Sequence, residues 1–92
     1  MNYTQKIQAQ YKAATISKKY SVSIDMVLAL LEKGCHFCGS YTNLCADHSH
    51  TTGKFRGILC SRHNIKLGQI EANKHSFRKY LAYLDNPPGA ES

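Results

Sequence analysis

Cys35-His36-Phe37-Cys38 and Cys60-Ser61-Arg62-His63 are the two stretches on which the fold turns, and 21 residues separate them. Each is a pair of metal-ligand residue types with two residues between. Two such knuckles supply four soft or borderline donors, the closed tetrahedral set of a structural zinc ion, and predict a Cys3His site at Cys35, Cys38, Cys60 and His63. Zinc binding by comparable finger peptides supplies on the order of 10 kcal/mol of folding free energy. A chain this small is therefore expected to unfold without the ion. The competing explanations are thiols buried as small apolar groups and a thioredoxin-like redox pair, but a redox CxxC follows a strand in a βαβ unit, a pattern missing here. Cys45 lies outside both knuckles and reads as a strand residue facing the core. His36, between two ligands, is expected to be exposed.

Working outward, the 21 intervening residues read as a hairpin, with Leu44 to Asp47 and Phe55 to Leu59 as short strands around a polar tip containing Thr51-Thr52-Gly53-Lys54. Before the first knuckle, Ser23 can cap a helix with Met26, Val27, Leu30 and Leu31 on one face and Gly34 just past its end. An earlier helix, from about residue 3 to 17, carries Tyr3, Ile7, Tyr11 and Ala14 at helical spacing and stops near Lys18-Lys19. After the second knuckle, helical character runs from Ser61 through Ile65, Leu67 and Ile70. A last helix over about 74–85 places Phe77, Tyr80, Leu81 and Leu84 on one stripe. The expected fold class is α+β: one domain over 1–86, its core at 34–70, its flanking helices within 3–33 and 74–85, and a fraying tail at 87–92.

Composition restricts the function. At 42% apolar residues the 92-residue chain is too hydrophobic to be wholly disordered and too short for two cores. The apolar run from Met26 to Leu31 is far below the roughly 20 residues a bilayer span needs, and the first ten residues do not resemble a secretory signal. No membrane association and a cytoplasmic location are expected. Twelve Lys and Arg against six Asp and Glu give a formal charge of +6. Residues 48–84 hold Lys54, Arg56, Arg62, Lys66, Lys74, Arg78 and Lys79 against Glu71 alone, the distribution of a surface that attracts nucleic acid.

Asp47-His48-Ser49-His50 ends the first strand, and Asn64 directly follows the last zinc ligand. If the zinc staple forms, Asp47 and Asn64 can face one another and offer hard oxygen ligands to Mg²⁺ or Mn²⁺ with waters left in place. Hydrolysis of a phosphodiester needs a base for water and stabilisation of charge on the phosphate and the departing 3′ oxygen. His48 suits the base, the divalent ion the rest. His50, on the same side of an extended chain, can contact phosphate or orient the site. Lys54, Arg56 and Arg62 are the expected phosphate contacts, with Gly57 allowing close approach and Gly53 closing the tip.

Residues 35–68, CHFCGSYTNLCADHSHTTGKFRGILCSRHNIKLG, resemble the phage recombination endonuclease VII group of the HNH (ββα-metal, His-Me finger) superfamily, whose pattern is CxxC, DHxH, TGxxRGxLC, xxCN and LG. Tyr20-Ser21-Val22-Ser23 and the helix ending at Gly34 extend the likeness to about residues 18–70. The resemblance implies a ββα-metal domain and DNA cleavage, with Asp47 and Asn64 as catalytic metal ligands, His48 as general base, His50 as auxiliary histidine and Cys35, Cys38 and Cys60 as zinc ligands. The group usually has a fourth cysteine where this chain has His63, itself a competent zinc ligand. A phage-encoded protein acting in a bacterial host on duplex or branched DNA, as monomer or homodimer, follows as the expectation. The rival is a catalytically silent zinc-dependent DNA-binding or adaptor module, against which the intact Asp47, His48 and Asn64 argue.

Overall fold

A computed structural model describes residues 1–89; residues 90–92, the end of the expected tail, lie outside the described residues. Four helices and two strands follow one another as α1 (Tyr3–Tyr20), α2 (Ile24–Lys33), β1 (Leu44–His48), β2 (Phe55–Cys60), α3 (Ser61–Ala72) and α4 (Lys74–Asp85). The fold class is α+β, as expected.

Helix α1 starts in a capping box: the Asn2 side chain accepts from the Gln5 amide at 2.8 Å, while the Asn2 amide donates back to Gln5 Oε1 at 2.9 Å. It ends where Ser21 turns left-handed, φ 55°, so that the chain reverses and Ser23 caps α2 by accepting from the Met26 amide. The α1 stripe expected from spacing is not the buried one. Tyr3 and Tyr11 are 79% and 75% exposed, and Ala9, Ala13 and Ile16 are buried instead. Both stripes have helical period, but the alanines let α1 approach Val27 and Leu31 of α2 closely, whereas a tyrosine at each contact would hold the helices apart. On α2, Met26 likewise stays exposed while Val27 and Leu31 are buried.

The strands pair antiparallel, Leu44 opposite Cys60, Cys45 opposite Leu59, Ala46 opposite Ile58 and Asp47 opposite Gly57; His48 is then opposite Phe55. Arg56 is therefore an extra residue in β2, a bulge at the end of the ladder. Leu44, Ala46 and His48 share the face toward α1, where Lys12 donates to the Leu44 carbonyl and Tyr20 meets His48. Cys45 and Asp47 share the other face, across which α3 lies. Cys45 is half-buried, its thiol donating to the Leu59 carbonyl at 3.2 Å, and so lies under α3 instead of in the main core.

Helix α4 departs from expectation most. None of its residues is buried, and Tyr80, Leu81, Tyr83 and Leu84 are all more than half exposed. The stripe is present but uncovered. Because α4 projects, the radius of gyration is 17.1 Å, against roughly 12 Å for a globular chain of this length.

Gly34 ends α2 at φ 77°, ψ −163°, a region essentially reserved for glycine. A Cβ there would also lie 2.6 Å from the Gly39 carbonyl oxygen. Gly34→Ala should therefore lower stability by about 1–3 kcal/mol from backbone strain alone, measured as the urea midpoint of the zinc-loaded protein. An unshifted midpoint would show that the knuckle accommodates a side chain.

Candidate metal centre and catalytic site

The first knuckle is a tight turn in which Cys35 donates its amide to the Ser40 carbonyl and Gly39 donates back to Cys35. It is docked on the hairpin by the His36 amide, which donates to the Ile58 carbonyl at 3.1 Å. The second knuckle is the passage from β2 into α3, fixed where the Ser61 amide donates to the Asn43 carbonyl at 2.9 Å. Together these bonds gather the ligand atoms of Cys35, Cys38, Cys60 and His63 within 4.8 Å of one another. His63 Nδ1 lies 3.7 Å from Cys35 Sγ and 3.2 Å from Cys60 Sγ, and Cys38 Sγ lies 3.9 Å from Cys60 Sγ. A tetrahedral ion with Zn–S near 2.3 Å and Zn–N near 2.0 Å spaces its donors by roughly 3.5–3.8 Å. These residues thus form a group able to hold a metal ion, and donor type and spacing both suit zinc. His36 is exposed and outside the group, as expected.

Burial alone would push the Cys35 thiol up, but hydrogen bonds from the Cys60, Cys38 and Phe37 backbone and the Cys38 side chain outweigh it and lower it to about 6. At Cys38 the Ser40 backbone favours the thiolate, yet desolvation and the thiols of Cys35 and Cys60 prevail and raise it. The cluster thus already favours one thiolate, the form a metal binds. A thiol held below its ordinary range stabilises the fold at high pH and loses that contribution as pH falls through about 6. Protons should accordingly compete with zinc for the site, so that zinc released to a colorimetric chelator increases as pH falls; release independent of pH would contradict thiolate ligation. Cys38→Ala should lose zinc and cooperative unfolding together, whereas a zinc-free variant that still melts cooperatively would remove the ion from the folding account.

The second cluster lies where β1 ends under α3. Asp47 is only 7% exposed, and its carboxylate is clamped by Arg56, whose Nε donates to Oδ2 at 2.8 Å and whose Nη2 donates to Oδ1 at 2.9 Å. The bulge makes this possible, since it takes Arg56 out of the ladder and turns it toward the neighbouring face. Gly57, paired with Asp47, has nothing within 4 Å of where a Cβ would stand, so the clamp is unobstructed. Arg56 Nη2 also donates to Glu71 on α3. The Glu71 carboxyl is held below its ordinary range, first by this hydrogen bond and further by the charges of Arg56 and His50. Asp47 and Arg56 border a surface cavity of about 330 Å³ with His36, Phe37 and Leu67.

The remaining expected residues distribute unevenly. Asn64 is half-buried in the first turn of α3, the helix that packs across the strand face carrying Cys45 and Asp47. The rings of His48 and His50 lie 5.2 Å apart, and His48 Nδ1 is 3.3 Å from Tyr20 Oη. Lys54 is exposed at the hairpin tip. Arg62 is exposed at the metal-cluster end, bordering a depression with Cys38 and Ser61, apart from the residues that border the cavity at Asp47. Glu71 and Tyr20 were not singled out from sequence. Glu71 was detectable as the lone acid of a basic stretch, two helical turns beyond Asn64; nothing local marks Tyr20.

Comparison with known proteins places this arrangement. The profile of recombination endonuclease VII matches residues 5–86. A similar protein is the gene 59 protein of Mycobacterium phage L5, 36% identical over 62 residues, which are 62% of this chain and 38% of that protein. The match thus covers well under half of the relative's length. No solved structure matches. With a profile match across nearly the whole chain, the chain belongs to the recombination endonuclease VII family.

Proposed function

We propose that the protein is an HNH-type DNA endonuclease with a structural zinc at Cys35, Cys38, Cys60 and His63 and a catalytic Mg²⁺ or Mn²⁺ at Asp47 and Asn64. The observation that carries the reading is the buried Asp47 clamped by Arg56 at the bulge, with His48 the next residue along β1, in a chain of this family. Bound there, the divalent ion supplies charge stabilisation for the scissile phosphate and the departing 3′ oxygen. His48 takes the proton from the water that attacks phosphorus. His50, beside it, orients the phosphate. Arg56 spends Nε and Nη2 on Asp47 and Glu71, which leaves the Nη1 pair of its five N–H donors for a phosphate oxygen. When an ion takes an oxygen of Asp47, Glu71 keeps the guanidinium at the site. Lys54 and Arg62 extend the positive surface along the DNA backbone.

The net charge of +6 fits a DNA substrate, duplex or branched, and among the described residues no helix is long and apolar enough to cross a membrane. Cleavage would take place in the cytoplasm of a phage's bacterial host. The uncovered stripe of Tyr80, Leu81 and Leu84 supports a homodimer paired through α4 over a monomer.

Removing a general base costs about 10²–10⁴-fold in rate. His48→Ala should lose cleavage of supercoiled, linear and four-way-junction DNA by that factor in Mg²⁺ or Mn²⁺, with zinc content and melting unchanged. Turnover at the wild-type rate would exclude His48 from the chemistry. Preference for the junction over the linear duplex would identify a resolvase, and equal cutting a general nuclease. Leu81→Lys should leave only monomer in sedimentation velocity if α4 pairs two copies, and the same sedimentation coefficient as wild type would rule that pairing out.

A further inference from the structure

Tyr20 is the last residue of α1, 28 residues before His48, and the fold brings the two side chains together. Its position is set from both sides. The chain behind it is helical, and the chain ahead reverses at Ser21 in a left-handed turn, closed by the Val22 amide donating to the Ser17 carbonyl at 3.2 Å and the Ser17 hydroxyl donating to the Val22 carbonyl. The Tyr20 ring stacks on His48 at 5.8 Å and 30° and leans on Phe55 at 5.8 Å and 42°. Phe55 is the residue opposite His48 in the ladder, so one aromatic ring spans the terminal pair of the hairpin.

His48 needs such support, because it is the last residue of β1 and lies beyond the bulge. Stacking limits the tilt of its ring but does not choose which nitrogen carries the proton. The Tyr20 hydroxyl, 3.3 Å from Nδ1, is the polar group that can make this choice.

We propose that Tyr20 is the positioning residue for His48: His48 Nδ1–H donates to Tyr20 Oη, which leaves the Nε2 lone pair directed at the water to be deprotonated. This rests on the reading of His48 as general base. With the proton fixed on Nδ1, the neutral ring is in the one tautomer whose other nitrogen can act as base, and the acceptor bond persists once Nε2 has gained a proton. The hydroxyl thus serves the ring both before and after proton transfer. A tyrosine present only for packing would be replaceable by phenylalanine without consequence, because the ring keeps its contacts with His48 and Phe55.

The test is Tyr20→Phe in the full chain, beside His48→Ala. In Tyr20→Phe, zinc content and melting should be unchanged, kcat on DNA should fall by about three- to tenfold, the worth of one neutral hydrogen bond, and KM should not move. Nitrogen-15 NMR of the histidine rings should show His48 protonated mainly on Nδ1 in the wild type and shifted toward Nε2–H in the variant. An unchanged His48 tautomer overturns the proposal. So does an unchanged kcat in Tyr20→Phe while His48→Ala is inactive. Should His48→Ala cut at the wild-type rate, the base reading falls by itself, and the tautomer measurement alone decides whether Tyr20 sets the ring.

Discussion

Four ligand atoms within 4.8 Å of one another would, around one ion, tie the ends of a segment that has little else to hold it. A two-stranded hairpin is marginal in water by itself, and here its core is shared with only a few aliphatic side chains, chiefly Val27, Leu31 and Ile58. Cys35 and Cys38 sit where the first helical pair passes into the hairpin, and Cys60 and His63 where the hairpin passes into α3. Joining them therefore sets the direction of α3 across the sheet. Asn64 is the next residue after His63, so its place at the start of α3 follows from the same linkage.

Charge is handled with equal economy at the other end of the hairpin. A carboxylate as buried as Asp47 must be paired or hydrogen-bonded, and Arg56 satisfies it through two nitrogens. The guanidinium reaches Asp47 because the bulge withdraws it from the ladder, and Glu71 holds it from α3. One arginine, shared between two carboxylates, thus crosslinks a strand to a helix.

Much of this was legible in the residue order. The two ligand pairs, the hairpin and the helices are each encoded within a short window, by cysteine spacing, by a capping serine with a terminal glycine, or by apolar period. Asp47, His48 and Asn64 drew notice from their positions relative to the knuckles, and the structure buries Asp47 against Arg56. What stayed hidden depends on partners distant in the chain. Either stripe of α1 has the right period, and Tyr3, Ile7 and Tyr11 are the larger side chains with more apolar surface to bury, but close packing against α2 selects the alanines. No composition rule announces that Arg56 is the unpaired residue of a bulge, nor that Tyr20 ends its helix beside His48. The α4 stripe was legible and correctly helical, yet amphipathicity does not say whether the same molecule supplies the cover.

Separation of the ligand pairs also orders events during synthesis. Helices α1 and α2 form a local hairpin of their own and can associate as soon as they leave the ribosome, since chains fold from the N-terminus as they emerge. The tetrahedral site cannot close until His63 has cleared the exit tunnel, by which time both strands are already outside. The fourth ligand is thus the last of the set to emerge, and Asn64 follows it directly, so a nascent chain truncated before residue 63 holds the hairpin without the complete ligand group.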